Sequence, residues 1–154
     1  MITLNKILVP TDFSDFSNKA LDYAMALAKA HDAEVLVLHV TAPPSYPVET
    51  SIAAEVYEEI EDRMRQDAEK RLAEILEGED ARTVATHTRV AEGSPFVQII
   101  RIAREEDVDL IVIATHGVSG IKHLLLGSTA EKVVRKAPCP VLTVKDKGRE
   151  FVLP

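Results

Sequence analysis

Two stretches of this 154-residue chain concentrate the small residues and hydrogen-bonding groups that line ligand sites. In Val9-Pro10-Thr11-Asp12 an aliphatic run stops at a proline and gives way to a hydroxyl and a carboxylate. The second stretch begins at Ile113-Ala114-Thr115-His116-Gly117 and closes on Gly127-Ser128-Thr129-Ala130. Glycine lets a backbone approach a ligand closely and adopts positive φ without a Cβ penalty. Gly127-Ser128 stands where a helix begins, and there free N–H groups and the helix dipole favour an anion such as phosphate. The same residues equally suit a plain helix start, with Ser128 and Glu131 forming a capping box. The residues alone leave both readings open.

Other chemistry is weaker. No Gly-x-x-x-x-Gly-Lys-Ser/Thr loop occurs, so that phosphate-binding and hydrolytic machinery is absent from the sequence. Gly117-Val118-Ser119-Gly120 is one residue short of a nucleophile elbow, and Ser119 has no paired base. His31, His39, His87, His116 and His123 show no metal-ligand spacing. His39 is expected to pack in or beside a sheet; His116 and His123 flank the second stretch, where a loop surface is the commoner case and contact with a bound nucleotide the alternative. The single cysteine, Cys139, sits between two prolines and reads as a buried small side chain. With one cysteine, no internal disulfide forms, and a reducing compartment is expected. A net charge of −7 argues against nucleic acid or an anionic membrane as the main partner. No apolar run approaches the roughly 20 residues that span a bilayer, and Met1–Lys6 has no signal-peptide core. A cytoplasmic protein is the expectation.

The elements that must position these residues follow from periodicity. Lys6–Val9 and Val35–Val40 are continuous apolar runs, as is Asp109–Ala114 after its first residue. Strands apolar on both faces belong to parallel sheets covered by helices on both sides. Helices are expected after Ser14, which can cap the first, over Ile52–Glu77, from Ser94-Pro95, and from Ser128 to Lys136. The stripe expected to pack the long second helix is Val56, Ile60, Met64, Ala68, Leu72, Ile75 and Leu76. Thr83–Val90 alternates polar with apolar, which suits an edge strand. Val141-Leu142-Thr143-Val144 is a fifth strand. The alternation βαβαβαβαβ implies right-handed crossovers and an open five-stranded parallel sheet of α/β class. The expected strand order is 3-2-1-4-5, with helices on both faces. Ligands bind such sheets beyond the strands' carboxyl ends, where the winding reverses. That point lies between the first and fourth strands, so the two stretches rich in small and hydrogen-bonding residues would face each other.

At these residues the chain resembles the universal stress protein family. Nucleotide-binding members of that family carry a glycine, two residues, a second glycine, nine residues, then glycine with serine or threonine. Gly117 matches the second glycine, Val118–Leu126 the spacer, and Gly127-Ser128 the end. Lys6-Ile7-Leu8-Val9-Pro10-Thr11-Asp12, Leu38-His39-Val40 and Ala137-Pro138-Cys139-Pro140-Val141 are also similar. One departure stands out: Ala114 replaces the first glycine. A methyl at a site of close backbone approach narrows the pocket unless φ there is negative.

The resemblance implies an adenine-nucleotide-alpha-hydrolase-like fold over residues 1–146, leaving 147–154 as a tail. It also implies ATP binding in the crevice. Asp12 and Val40 would contact the adenosine end, with Pro10 and Thr11 on the same wall. Ile113 and Ala114 would line the ribose and phosphate approach, and Gly117, Gly127, Ser128, Thr129 and Ala130 would hold the phosphates. Asp12 has two further readings: coordinating Mg²⁺ or Mn²⁺ that accompanies the nucleotide, or capping the first helix. No catalytic residue is assigned, since no candidate base has a positioning partner. A homodimer pairing Val141–Val144 antiparallel is expected, because exposed apolar sheet edges are usually covered. The expected role is a stress-response regulatory or signalling dimer. A nucleotide-free interaction scaffold and a slow ATPase are the alternatives.

Overall fold

The computed structural model describes residues 2–42, 51–116 and 126–145, with backbone alone at 51–53. Strand β1 (Lys6–Pro10) leads to helix α1 (Asp15–His31), followed by β2 (Glu34–Thr41) and α2 (Ser51–Leu76). A 3-10 turn, Asp80–Arg82, precedes β3 (Thr86–Glu92), and α3 (Pro95–Glu105) leads to β4 (Leu110–Ala114). The chain closes with α4 (Ser128–Lys136) and β5 (Val141–Val144). The five strands form one sheet in the order β3-β2-β1-β4-β5, all pairs parallel.

Alternation along each strand splits the core into two layers, as the pleat requires. Ile7, Val9, Val35, Val37, Val112 and Ala114 pack with Ala20, Ala24 and Ala28 of α1 and Leu72 of α2. Leu8, Leu36, Leu38, Ile111 and Ile113 pack instead with Ile99 and Ile102 of α3 and Ala130 and Val133 of α4. Apolar runs with no polar interruption therefore serve two helical layers at once.

Three local expectations need correction. The third strand begins at Thr86 rather than Thr83, because the Asp80 carbonyl accepts from the N–H groups of Thr83 and Val84, both at 3.0 Å. Those donors close the 3-10 turn and are lost to the ladder. The stripe of α2 is shorter than expected: Ala68 and Leu72 are buried as anticipated, but Val56 and Leu76 at its two ends are exposed. Ser128 is the first helical residue of α4 and Gly127 is its cap, so the capping box does not form. The Glu131 carboxylate pairs with Arg135 at 3.0 Å instead.

Candidate crevice at the winding reversal

Strands β1 and β4 are matched over only two positions, Ile7 with Leu110 and Leu8 with Ile111. Beyond that they part. β1 stays with β2 as far as Pro10, and the Thr11 N–H continues the ladder to the Leu38 carbonyl at 2.8 Å. β4 stays with β5, the Thr115 N–H reaching the Val144 carbonyl at 3.0 Å. Pro10 makes the parting inexpensive. Since the Thr11 N–H points to β2, the two-residue period puts the N–H of position 10 on the β4 side, and proline has none to leave unpaired.

The opening is a cavity of about 470 Å³, within the range that holds small ligands. Pro10, Thr11 and Asp12 line it from β1, Val40 from β2, and Ile113 and Ala114 from β4. Gly127, Ser128, Thr129 and Ala130 line it from the start of α4. Ten of the eleven residues expected at a nucleotide site thus border one space; Gly117 lies outside the described residues, as do Ser119 and His123. Ser128, Thr129 and Ala130 open α4, so their N–H groups have no partner within the helix.

A polar network sets the β1–α1 turn. Ser17 donates its hydroxyl to the Ser14 carbonyl at 2.9 Å, so it accepts from the Thr11 hydroxyl at 3.0 Å. Thr11 Oγ1 in turn accepts from the Phe13 N–H at 3.0 Å. The Thr11 hydroxyl proton is spent inside the protein, and both hydroxyls are buried. Asp12 Oδ1 accepts from the Ser14 N–H at 3.0 Å and from its hydroxyl. Ser14, whose Oγ accepts from the Ser17 N–H, is the cap of α1. Asp12 therefore braces the turn one step before the cap.

Ala114 has ordinary negative φ, being absent from the positive-φ residues Phe13, Asp32 and Asp107. Its methyl belongs to the layer packed on α1, whereas Leu38, Val40, Ile113 and Ala130 place much of the crevice wall on the α3–α4 side. The tight glycine is Gly127. A Cβ there would stand 3.1 Å from the Thr115 carbonyl oxygen, which already accepts the Gly127 N–H at 2.6 Å.

The model of the universal stress protein family matches residues 3–145. The chain belongs to the universal stress protein family. It is similar to a universal stress protein of Bacillus subtilis, 39% identical over 147 residues that cover 92% of this chain and 99% of the relative. It also resembles the solved universal stress protein UspA of Lactobacillus plantarum, with a TM-score of 0.83, 28% identity, and coverage of 92% and 98% of the two chains. A universal stress protein solved in complex with cAMP superimposes with a TM-score of 0.61 at 27% identity, covering 93% of this chain and 98% of its own.

In this universal stress protein several crevice residues escaped the sequence reading. Ser17, Pro95, Ile99 and Thr115 line the cavity, and only the chain crossing places them there. His39 also borders it. Its Nδ1 lies 2.8 Å from the Thr11 carbonyl oxygen, which can only accept, so Nδ1 carries the proton. His116, expected on a loop surface, is 8% exposed and its Nδ1 meets Thr115 Oγ1 at 2.9 Å. The signal for it was continuity with the apolar run of β4. Cys139 is half-buried, and burial pushes its thiol up, away from the reactive thiolate. Among the described residues no group of three or more His, Cys, Asp or Glu is placed to hold a metal ion. Nor is any helix among them long and apolar enough to cross a membrane.

Proposed function

We propose that this universal stress protein binds an adenine nucleotide, ATP, in the crevice between β1 and β4 and acts in the cytoplasm as a stress-response regulatory homodimer. The observation that carries this reading is the convergence of Pro10-Thr11-Asp12, Ile113-Ala114 and Gly127–Ala130 on one cavity. The cAMP-bound relative supports an adenine nucleotide as the ligand class.

The roles follow from what each wall offers. The N–H groups of Ser128, Thr129 and Ala130, with the α4 dipole, supply an anion site for phosphates. Val40 and Ile113 offer apolar surface to the base and ribose, and Asp12 offers a carboxylate that the turn has already oriented. A divalent cation at Asp12 would draw most of its oxygen ligands from the phosphates and water, because the described residues provide no cluster of their own. Ligand binding is the output here, and an occupied crevice acts by stabilising one state of the dimer. β5 forms the dimer interface through Val141, Leu142, Thr143 and Val144, pairing antiparallel with its copy.

Calorimetric titration of nucleotide-free protein with ATP, with and without Mg²⁺, tests the reading. Saturable binding near micromolar affinity, about −8 kcal/mol, is expected. Absence of heat and of thermal stabilisation up to millimolar ATP would leave the scaffold reading in its place.

A further inference from the structure

Phe13 follows Asp12 directly and has φ of +63°, a left-handed conformation that is a genuine outlier for a bulky side chain. Such a residue persists only where its surroundings over-determine it, and outliers of this kind cluster at ligand clamps. The surroundings of Phe13 come from three elements. Its N–H is held by Thr11 Oγ1 from the end of β1. The His39 imidazole of β2 lies 4.4 Å from its ring centroid, tilted by 32°. The Arg71 guanidinium carbon of α2 stands over the ring at 4.2 Å. His39 is itself fixed, because its Nδ1–H donates to the Thr11 carbonyl.

The residues on either side of Phe13 are the ones that matter to the crevice. Asp12 precedes it and lines the cavity. Ser14 follows it and supplies two donors to Asp12 Oδ1, its N–H and its hydroxyl. If Phe13 relaxed out of the left-handed region, the Ser14 N–H would turn away from Asp12 and the carboxylate would lose its brace. We infer that Arg71 and His39 are positioning residues for the crevice: by closing on the Phe13 ring they hold the turn that presents Asp12 to the ligand. Arg71 thereby ties α2, whose outer face is charged and exposed, to occupancy of a site that α2 does not line. By linkage, a ligand held by Asp12 strengthens the docking of α2 as much as that docking strengthens the ligand. This inference rests on the nucleotide reading above.

The test uses Arg71→Ala, Arg71→Lys and, as a control on the same helix, Arg63→Ala. Alanine keeps helix propensity at an exposed position, so α2 persists. Amide hydrogen exchange at Phe13 and Ser14 is measured without ligand, and calorimetric affinities are measured for ATP and for adenosine. In Arg71→Ala the exchange quickens and both affinities fall together, by about two- to fivefold, the range an exposed cation–π contact supports. Arg71→Lys keeps a cation over the ring and recovers most of the loss, and Arg63→Ala matches the wild type. Unchanged exchange in Arg71→Ala overturns the inference, as does faster exchange with wild-type affinities. A loss confined to ATP also overturns it, since Arg71 would then act as a charge on the phosphates. Wild-type protein that binds neither ligand defeats the nucleotide reading and this one with it. Wild-type binding that Arg71→Ala leaves intact defeats this one alone.

Discussion

At Gly127 the backbone is ordinary, with φ of −66°, and the constraint is space. A methyl there meets the Thr115 carbonyl at 3.1 Å and strains the 2.6 Å bond from the Gly127 N–H to that carbonyl. Gly127→Ala is expected to cost about 1 kcal/mol, near one hydrogen bond, lowering the melting midpoint by roughly 2–4 °C. Because the same shift moves the first turn of α4, ATP affinity falls with it in the titration. Ala114 is the opposite case. Its methyl fills the α1-side layer and its φ asks for no glycine. Ala114→Gly should therefore leave ATP affinity within about twofold while costing about 1–2 kcal/mol in backbone entropy and lost burial. A large gain in affinity on calorimetry would show that the methyl does obstruct the ligand.

Among the elements, the seating of β1 against β4 depends on one carboxylate at the end of the sheet away from the crevice. Asp109 Oδ2 accepts the N–H of Asn5 at 2.7 Å and of Lys6 at 3.0 Å. These two backbone donors hold its carboxyl below the usual range. A folded-state pKa lower than the unfolded one means stability present above the unfolded value and lost as pH falls through the folded value. Asp109→Ala should cost about 1 kcal/mol at neutral pH, a charge-assisted bond discounted for solvent screening. The gap between variant and wild type should narrow below about pH 4 in denaturant titrations. Lys6 adds a tie in the opposite pH direction. It contacts Glu34 at 3.0 Å and Glu106 at 3.2 Å, and the Glu34 bond raises its pKa, so on the alkaline side this contribution fades as pH rises through the amine's folded value.

For the whole molecule, the open question is the edge. β3 carries half-exposed polar and apolar residues and is partly covered by α2. Among the described residues β5 pairs only with β4, and its Leu142 is 37% exposed, as Val134 of α4 is at 46%. Apolar edges of this kind template pairing. Light scattering at micromolar concentration should report a mass of two chains, and Leu142→Asp should report one, the paired carboxylates repelling across the two-fold axis. A wild-type monomer would remove the dimer from the functional reading.

How much of this was legible in the chain differs by kind of residue. Unbroken apolar runs such as Val35–Leu38, alternating with helical periodicity, told that helices cover both faces, since a strand of a parallel sheet is buried on both. Pro10-Thr11-Asp12 and Gly127–Ala130 were legible as the segments that end β1 and open α4 because proline, glycine and small hydroxyl residues punctuate elements locally. Strand ends were less legible: the Asp80 carbonyl decides where β3 begins, and nothing in the alternation of 83–90 reveals it. Ser17, Ile99 and His39 were not legible as crevice residues, nor Phe13 and Arg71 as supports of the turn beside it, because their neighbours come from separate elements. The sequence by itself determined which segments become strands and helices and which residues end β1 and open α4, as these depend on period and backbone chemistry. Only the tertiary structure decided that Ala114 turns its methyl into the α1 layer, that His116 is buried, and that Arg71 closes on Phe13. Those facts arise from side chains that meet only when β1 follows β2 and β4 follows β5, and the crevice opens between them.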